Sequence, residues 1–156
     1  YTRVALENDI PIGIIMGKNA ASHKCPLHYR LKLIGAIVSI YLSKEGRKVM
    51  KTFESVNHID KDLIKEADCT YEGEVAFFAV SSRARGKGIG KELFRSLLDY
   101  MKSQNLKNFY LFTDTSCNYG FYEHQGMLRR GKKDTTFHIN GEQATMSFFL
   151  YDSQIV

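Results

Sequence analysis

Apolar and polar positions follow two periods along this chain, and the change of period marks its elements. Val75 to Val80 are six consecutive apolar residues, preceded by Glu74 and followed by Ser81-Ser82. An unbroken apolar run of that length predicts a strand buried on both faces. Downstream, Ile89, Leu93, Leu97 and Met101 recur every four residues, which predicts a helix over 89–103 with one core-facing stripe. Phe109 to Phe112 reads as the next strand. A short connection and a right-handed crossover then place the two strands parallel to one another through that helix. Upstream, Thr2 to Glu7 and Ile10 to Gly17 flank Asn8-Asp9 as a hairpin. Downstream, Thr135 to Ile139 and Glu142 to Tyr151 flank Asn140-Gly141, the strongest short hairpin signal.

The stretch from Leu27 to Asp68 has the helical period instead. Leu31-Ile34-Val38-Tyr41, Val49-Met50-Phe53-Val56 and Ile59-Leu63-Ile64-Ala67 predict three helices separated near Ser43 and Asn57. Ser43 is the expected cap of the second, with Gly46 weakening its first turn. Arg129, Arg130, Lys132 and Lys133 form a basic cluster ahead of the last hairpin, where a solvated turn is expected.

Composition narrows the class. A chain of 156 residues suits one core, so a single domain over 1–156 is expected. The richest apolar stretch, Leu31 to Leu42, contains Lys32 and Ser39 and is shorter than a membrane span, so no membrane partner is expected. Cys25, Cys69 and Cys117 supply neither an even disulfide framework nor a metal spacing. Reduced thiols in a cytoplasmic protein without a metal are the expectation. The net charge of +5, from 22 Lys and Arg against 17 Asp and Glu, suits a polyanionic ligand.

Between the apolar strand and the striped helix lies Arg85-Gly86-Lys87-Gly88-Ile89-Gly90-Lys91. Its three glycines admit positive φ and leave amide N–H groups uncovered, at the point where a helix N-terminus adds its own orphan donors. A diphosphate fits such a turn. The Walker loop is excluded because Gly90-Lys91 is followed by Glu92, and the dinucleotide fingerprint because position 91 is Lys where a third glycine belongs. Arg83, Arg85, Lys87 and Lys91 stand without the aromatic platform that single-stranded nucleic acid needs, so no nucleic-acid partner is expected.

Arg85-Gly-Lys-Gly88-Ile-Gly90, placed after an apolar strand, closely resembles motif A of the GNAT superfamily of acyl-CoA-dependent N-acetyltransferases. Glu74 to Ser82 is similar, without a gap, to the core strand of its histone acetyltransferase branch. Asn118-Tyr-Gly-Phe-Tyr122-Glu-His-Gln-Gly126-Met is similar to a second family signature, with Met127 in place of the usual Phe. In that segment Asn118 is the expected N-cap and Gly126 the expected C′ residue of a short helix. The resemblance spans Gly73 to Met127, and extends by strand pattern to Thr2–Gly17 and Leu128–Tyr151.

It implies an α/β fold with a mixed sheet and flanking helices, from which the helices at 27–68 depart as an expected insertion before the core strand. That insertion is expected either to cover the sheet or to serve as an acceptor-side lid or homodimer element. The family's first strand and first two helices have no counterpart after Tyr1, so a start inside a longer chain is expected. The implied reaction moves an acetyl group from acetyl-CoA to a primary amine, on a small molecule or a peptide, by direct attack in a ternary complex. A non-catalytic acyl-CoA-binding or sensing domain is the alternative. The CoA diphosphate is expected on the amides of Gly86, Lys87, Gly88, Ile89, Gly90 and Lys91, with charge from Arg85 and Lys87. The pantetheine is expected along the backbone of Phe78, Ala79 and Val80, with Asn118 beside it. By the resemblance Tyr122 protonates the departing thiolate and Glu74 removes the proton of the incoming ammonium. Asp114 and His124 are further candidates for that base.

Overall fold

The computed structural model describes residues 1–20, 22, 26–139 and 142–155. The elements run β1 (Thr2–Glu7), β2 (Ile10–Asn19), α1 (Leu27–Leu42), α2 (Lys44–Ala67), β3 (Gly73–Val80), α3 (Ile89–Ser103), β4 (Asn108–Asp114), α4 (Gly120–His124), β5 (Leu128–Ile139) and β6 (Glu142–Gln154). They build a mixed six-stranded sheet in the order β1-β2-β3-β4-β6-β5, with helices on both faces. Only β3 and β4 pair in parallel, joined through α3 as expected; the other neighbours are antiparallel.

The stripe of α3 makes one core. Leu93, Leu97 and Met101 bury against Ile15, Val75, Phe109 and Leu111, together with Phe94, Phe149 and Tyr151. At about 1.5–3 kcal/mol for each fully buried large side chain, this face dominates the stability of the sheet. α3 lies so close to β2 that a Cβ added at Gly17 would stand 2.3 Å from the Leu97 side chain. The opposite face carries a smaller core, in which Ile59 and Leu63 of α2 pack on Phe148 and Leu150.

Several expectations are corrected. The strand β3 is not buried on both faces, for Phe77 is 52% exposed and Ala79 is exposed as well. The register with β2 shifts between Met16 and Gly17, which marks a bulge in β3. The extra residue brings Val75 and Phe78, three apart, onto the α3 face. Among the described residues no helix lies over Phe77, because α2 covers the β6 side of the sheet instead.

Residues 44–67 form one helix, with no break at Asn57. The apolar positions 49, 53, 56, 59, 63 and 67 follow three- and four-residue steps straight through that point, and Asn costs a helix only about 0.7 kcal/mol or less relative to Ala. The break at Ser43 is present, and its hydroxyl accepts from the Gly46 N–H at 2.9 Å. α1 packs on α2 and has no buried residue; Leu31, Ile34 and Val38 all lie exposed.

Strand β5 begins at Leu128 and not at Thr135, so the basic cluster lies in a paired strand and not in a turn. Each of its cations has an acidic partner: Arg129 with Glu123, Arg130 with Asp152, Lys132 with Asp134, and Lys133 with Asp62 and Glu66. The Asn140-Gly141 turn and Cys25 lie outside the described residues.

Candidate active site

Strands β3 and β4 are paired only at Gly73 with Phe109 and Glu74 with Tyr110, and beyond that point they part. A cavity of about 310 Å³ lies in the opening, and its wall includes Phe78, Ala79, Val80, Arg85, Gly90, Asn118 and Tyr122. Those seven sequence candidates are therefore brought together. Ser116, Cys117 and Phe121 line the same space and were not anticipated. The β4–α4 connection that carries Ser116 and Cys117 has no periodicity of its own; its polar Ser-Cys-Asn run after a strand was the available signal.

The glycine turn borders this cavity through Arg85 and Gly90. Gly86 and Gly88 have φ of +77° and +79°, and no atom lies within 4 Å of where a Cβ would stand on either. Gly88 is the N-cap of α3 and has no side chain to cap it, so the first-turn amides face open space. Such a cradle suits a phosphate group on both conformation and field. Lys87 pairs with Glu7 of β1 at 2.8 Å, with both side chains about half exposed. A pair so exposed is held by ~1 kcal/mol or less and readily exchanges partners. Ile89 packs into the core, and Lys91 projects into solvent.

Tyr122 of α4 lines the same cavity. Among the described residues its hydroxyl makes no hydrogen bond. Burial, with Cys117 as the lesser cause, pushes its phenol up to about 12, so it is a protonated donor at any physiological pH. The helix that carries it is fastened at Glu123, whose carboxylate accepts from the Tyr151 hydroxyl and from Arg129. The Arg129 guanidinium in turn lies 4.4 Å above the Phe149 ring. Gly126 follows α4 with φ of +81°, as its C′ role requires. Asn118 does not cap the helix: α4 begins at Gly120, its N-cap position is Tyr119 in helical geometry, and no side chain caps it. The one-residue offset leaves Asn118 on the cavity wall.

Glu74 lies outside that cavity, on the α2 side of the sheet. Its Oε2 accepts the Tyr110 hydroxyl at 2.6 Å and pairs with Lys18 Nζ at 2.8 Å. Burial and then the Glu74 hydrogen bond raise the Tyr110 phenol well above its ordinary value of 10. Neither partner was foreseen, because Lys18 and Tyr110 meet Glu74 only through the register of β2 and β4 against β3. Asp114 Oδ1 accepts from the Ser116 amide and hydroxyl, and His124 Nδ1 lies 2.6 Å from Gly120 O of its own helix. Among the described residues no group of three His, Cys, Asp or Glu side chains could hold a metal, and no helix is long and apolar enough to cross a membrane.

An opened parallel strand pair with a glycine turn at the following helix suits an extended ligand that carries a phosphate group, and the comparisons with known proteins name the family. Three solved structures illustrate the likeness. The smu.2055 protein of Streptococcus mutans UA159 is 15% identical, with a TM-score of 0.58 over 99% of this chain and 70% of that one. An N-acetyltransferase from Staphylococcus aureus Mu50 is 15% identical, with a TM-score of 0.56 over 99% and 67%. The NatC complex bound to a Gag peptide and CoA matches at 20% identity and a TM-score of 0.54, over 99% of this chain and 71% of that one. Among curated proteins, none matches the sequence. The Acetyltransferase (GNAT) family matches residues 2–127, and the chain belongs to it. It is thus an N-acetyltransferase that takes an acyl group from an acyl-CoA.

Proposed function

We propose that this protein transfers an acetyl group from acetyl-CoA to a primary amine, by direct attack of the amine within a ternary complex. The observation that carries the reading is the cavity between β3 and β4, which is bordered by Arg85 and Gly90 of the glycine turn and by Tyr122, whose hydroxyl makes no hydrogen bond among the described residues. The amides from Gly86 to Lys91 hold the diphosphate, and Arg85 and Lys87 add charge. The free edge of β3 at Phe78 to Val80 takes the pantetheine as an added strand. When the amine nitrogen forms its bond to the thioester carbon and the C–S bond breaks, Tyr122 supplies the proton to sulfur. On the far side, Glu74 meets the incoming ammonium.

The NatC neighbour is described as bound to a peptide and to CoA. Peptide N-termini therefore join small amines among the acceptors to be tried. A thiol-release assay with acetyl-CoA across small amines and short peptides tests the reading. Release that depends on the amine is expected; binding of acetyl-CoA without turnover returns the protein to the sensing alternative.

A further inference from the structure

The α2 side of the opened strands carries a second carboxylate. Asp60 lines a groove of about 390 Å³ together with Lys61, Glu74, Tyr110 and Phe112. With Asn57 it also borders an adjoining groove walled by Tyr41, Met50, Phe53 and Val56. The two grooves meet at Asn57 and Asp60, so an apolar approach along α2 leads to Glu74.

The two carboxylates differ in their partners. Glu74 already accepts a hydrogen bond from the Tyr110 hydroxyl and pairs with the Lys18 cation, both on one oxygen. Asp60 makes no hydrogen bond or ion pair among the described residues. On the acetyl-transfer reading above, we propose that Glu74 anchors the acceptor's ammonium and that Asp60 receives its proton.

The surroundings suit that division. Burial is the largest cause, and the charges of Glu74 and Asp114 the next, that push the Asp60 carboxyl from 3.8 up to about 6. At neutral pH it is still ionised, and it is a better proton acceptor than an ordinary carboxylate. The groups facing it are Glu74 on β3, with Lys18 of β2 behind it, Tyr110 and Asp114 on β4, Tyr41 on α1, and Glu54 and Lys61 on its own helix. A carboxylate held by a hydroxyl and a cation, beside a second that has no hydrogen bond or ion pair among the described residues, divides anchoring from proton transfer.

The step balances. An N–H bond of the ammonium breaks and its proton goes to the Asp60 carboxylate, then to solvent. The neutral nitrogen forms the C–N bond as the C–S bond breaks, and sulfur takes the Tyr122 proton. The second proton lost from nitrogen restores Tyr122 through water. One proton is released overall.

The apolar approach selects an amine on an apolar body, so phenethylamine, octylamine and short peptides with an apolar first residue are the probes. The experiment compares kcat/KM from pH 5 to 9 for the wild type, Asp60→Asn and Asp60→Glu. In the wild type the rate should rise through an acidic limb near pH 6. Asp60→Asn should lose that limb and about a hundredfold of the rate at pH 7, as removal of a general base does. Its acetyl-CoA affinity should stay within twofold, and Asp60→Glu should recover at least tenfold.

Stability separates this from damage to the fold. A carboxyl raised in the folded state binds more protons there than when unfolded, so its contribution is lost as pH rises through about 6. Asp60→Asn should therefore melt at or above the wild-type temperature at pH 7. A variant that acetylates these amines with the wild-type acidic limb overturns the role of Asp60 and leaves acetyl transfer standing. A wild type that binds acetyl-CoA and acetylates none of them overturns both.

Discussion

On the α3 face of the sheet, Ile15, Leu97, Phe109 and Leu111 are buried almost completely. On the α2 face, Phe77 and Met16 remain exposed and only Phe148, Leu150 and their neighbours are covered. The difference follows from how each face is assembled. α3 is tied to β3 and β4 by short connections, so its stripe, the glycine turn and the opened strands arise from one contiguous segment of chain. α2 arrives from a separate segment, and the groove holding Glu74 and Asp60 depends on how that segment docks. The α3 face is closed by chain that is adjacent in sequence, while the α2 face is left partly uncovered.

The sharpest way to break the comparison is Gly88→Val. A β-branched residue at φ near +79° is strained, and its side chain would fill the space left for phosphate. Acetyl-CoA affinity measured by calorimetry should fall by at least a hundredfold, or about 2.7 kcal/mol; an unchanged affinity would remove the phosphate cradle from this turn. Next in size is a paired stability test. Leu97→Ala on the closed face should cost about 2–5 kcal/mol in denaturant unfolding. Phe77→Ala, at the same sheet's open face, should cost ~1 kcal/mol or less. Equal losses would show the faces to be equally packed.

Tyr122→Phe keeps the aromatic packing and removes only the hydroxyl. Turnover should drop tenfold or more, equivalent to about 1.4 kcal/mol, with acetyl-CoA affinity nearly intact. A wild-type rate would return Tyr122 to the core. The smallest effect is expected at the junction of α1 and α2. Ser43→Ala removes the hydroxyl that caps α2, at a cost of about 1 kcal/mol. Thermal melting would show whether that loss stays within α1 and α2 or reaches the groove.

Legibility in the sequence follows the same division. The strand, glycine turn, helix and second strand between Glu74 and Phe112 could be read because their signals are local. So could the β1–β2 hairpin and Gly126. Asp60 could not be read as a groove residue, since its neighbours Glu74 and Tyr110 lie 14 and 50 positions away in sequence. The bulge in β3 was equally hidden: six apolar residues look like a strand covered on both sides, and only the β2 register reveals the residue that turns Phe77 outward. The basic cluster misled for a related reason, because its acidic partners Asp62, Glu66 and Asp152 come from distant elements.

The brief pairing of β3 with β4 has a dynamic consequence. Past Glu74 and Tyr110 the inner edges of both strands turn polar backbone groups toward a gap in the middle of the sheet, as an unfinished border would. Amide hydrogens on that border should exchange with deuterated solvent at rates typical of a loop, although they belong to central strands. An extended ligand seated in the gap would slow their exchange, while the β2-facing amides of the same strand would hardly change. In this sheet, full protection from solvent should arrive with the bound molecule and not with folding alone.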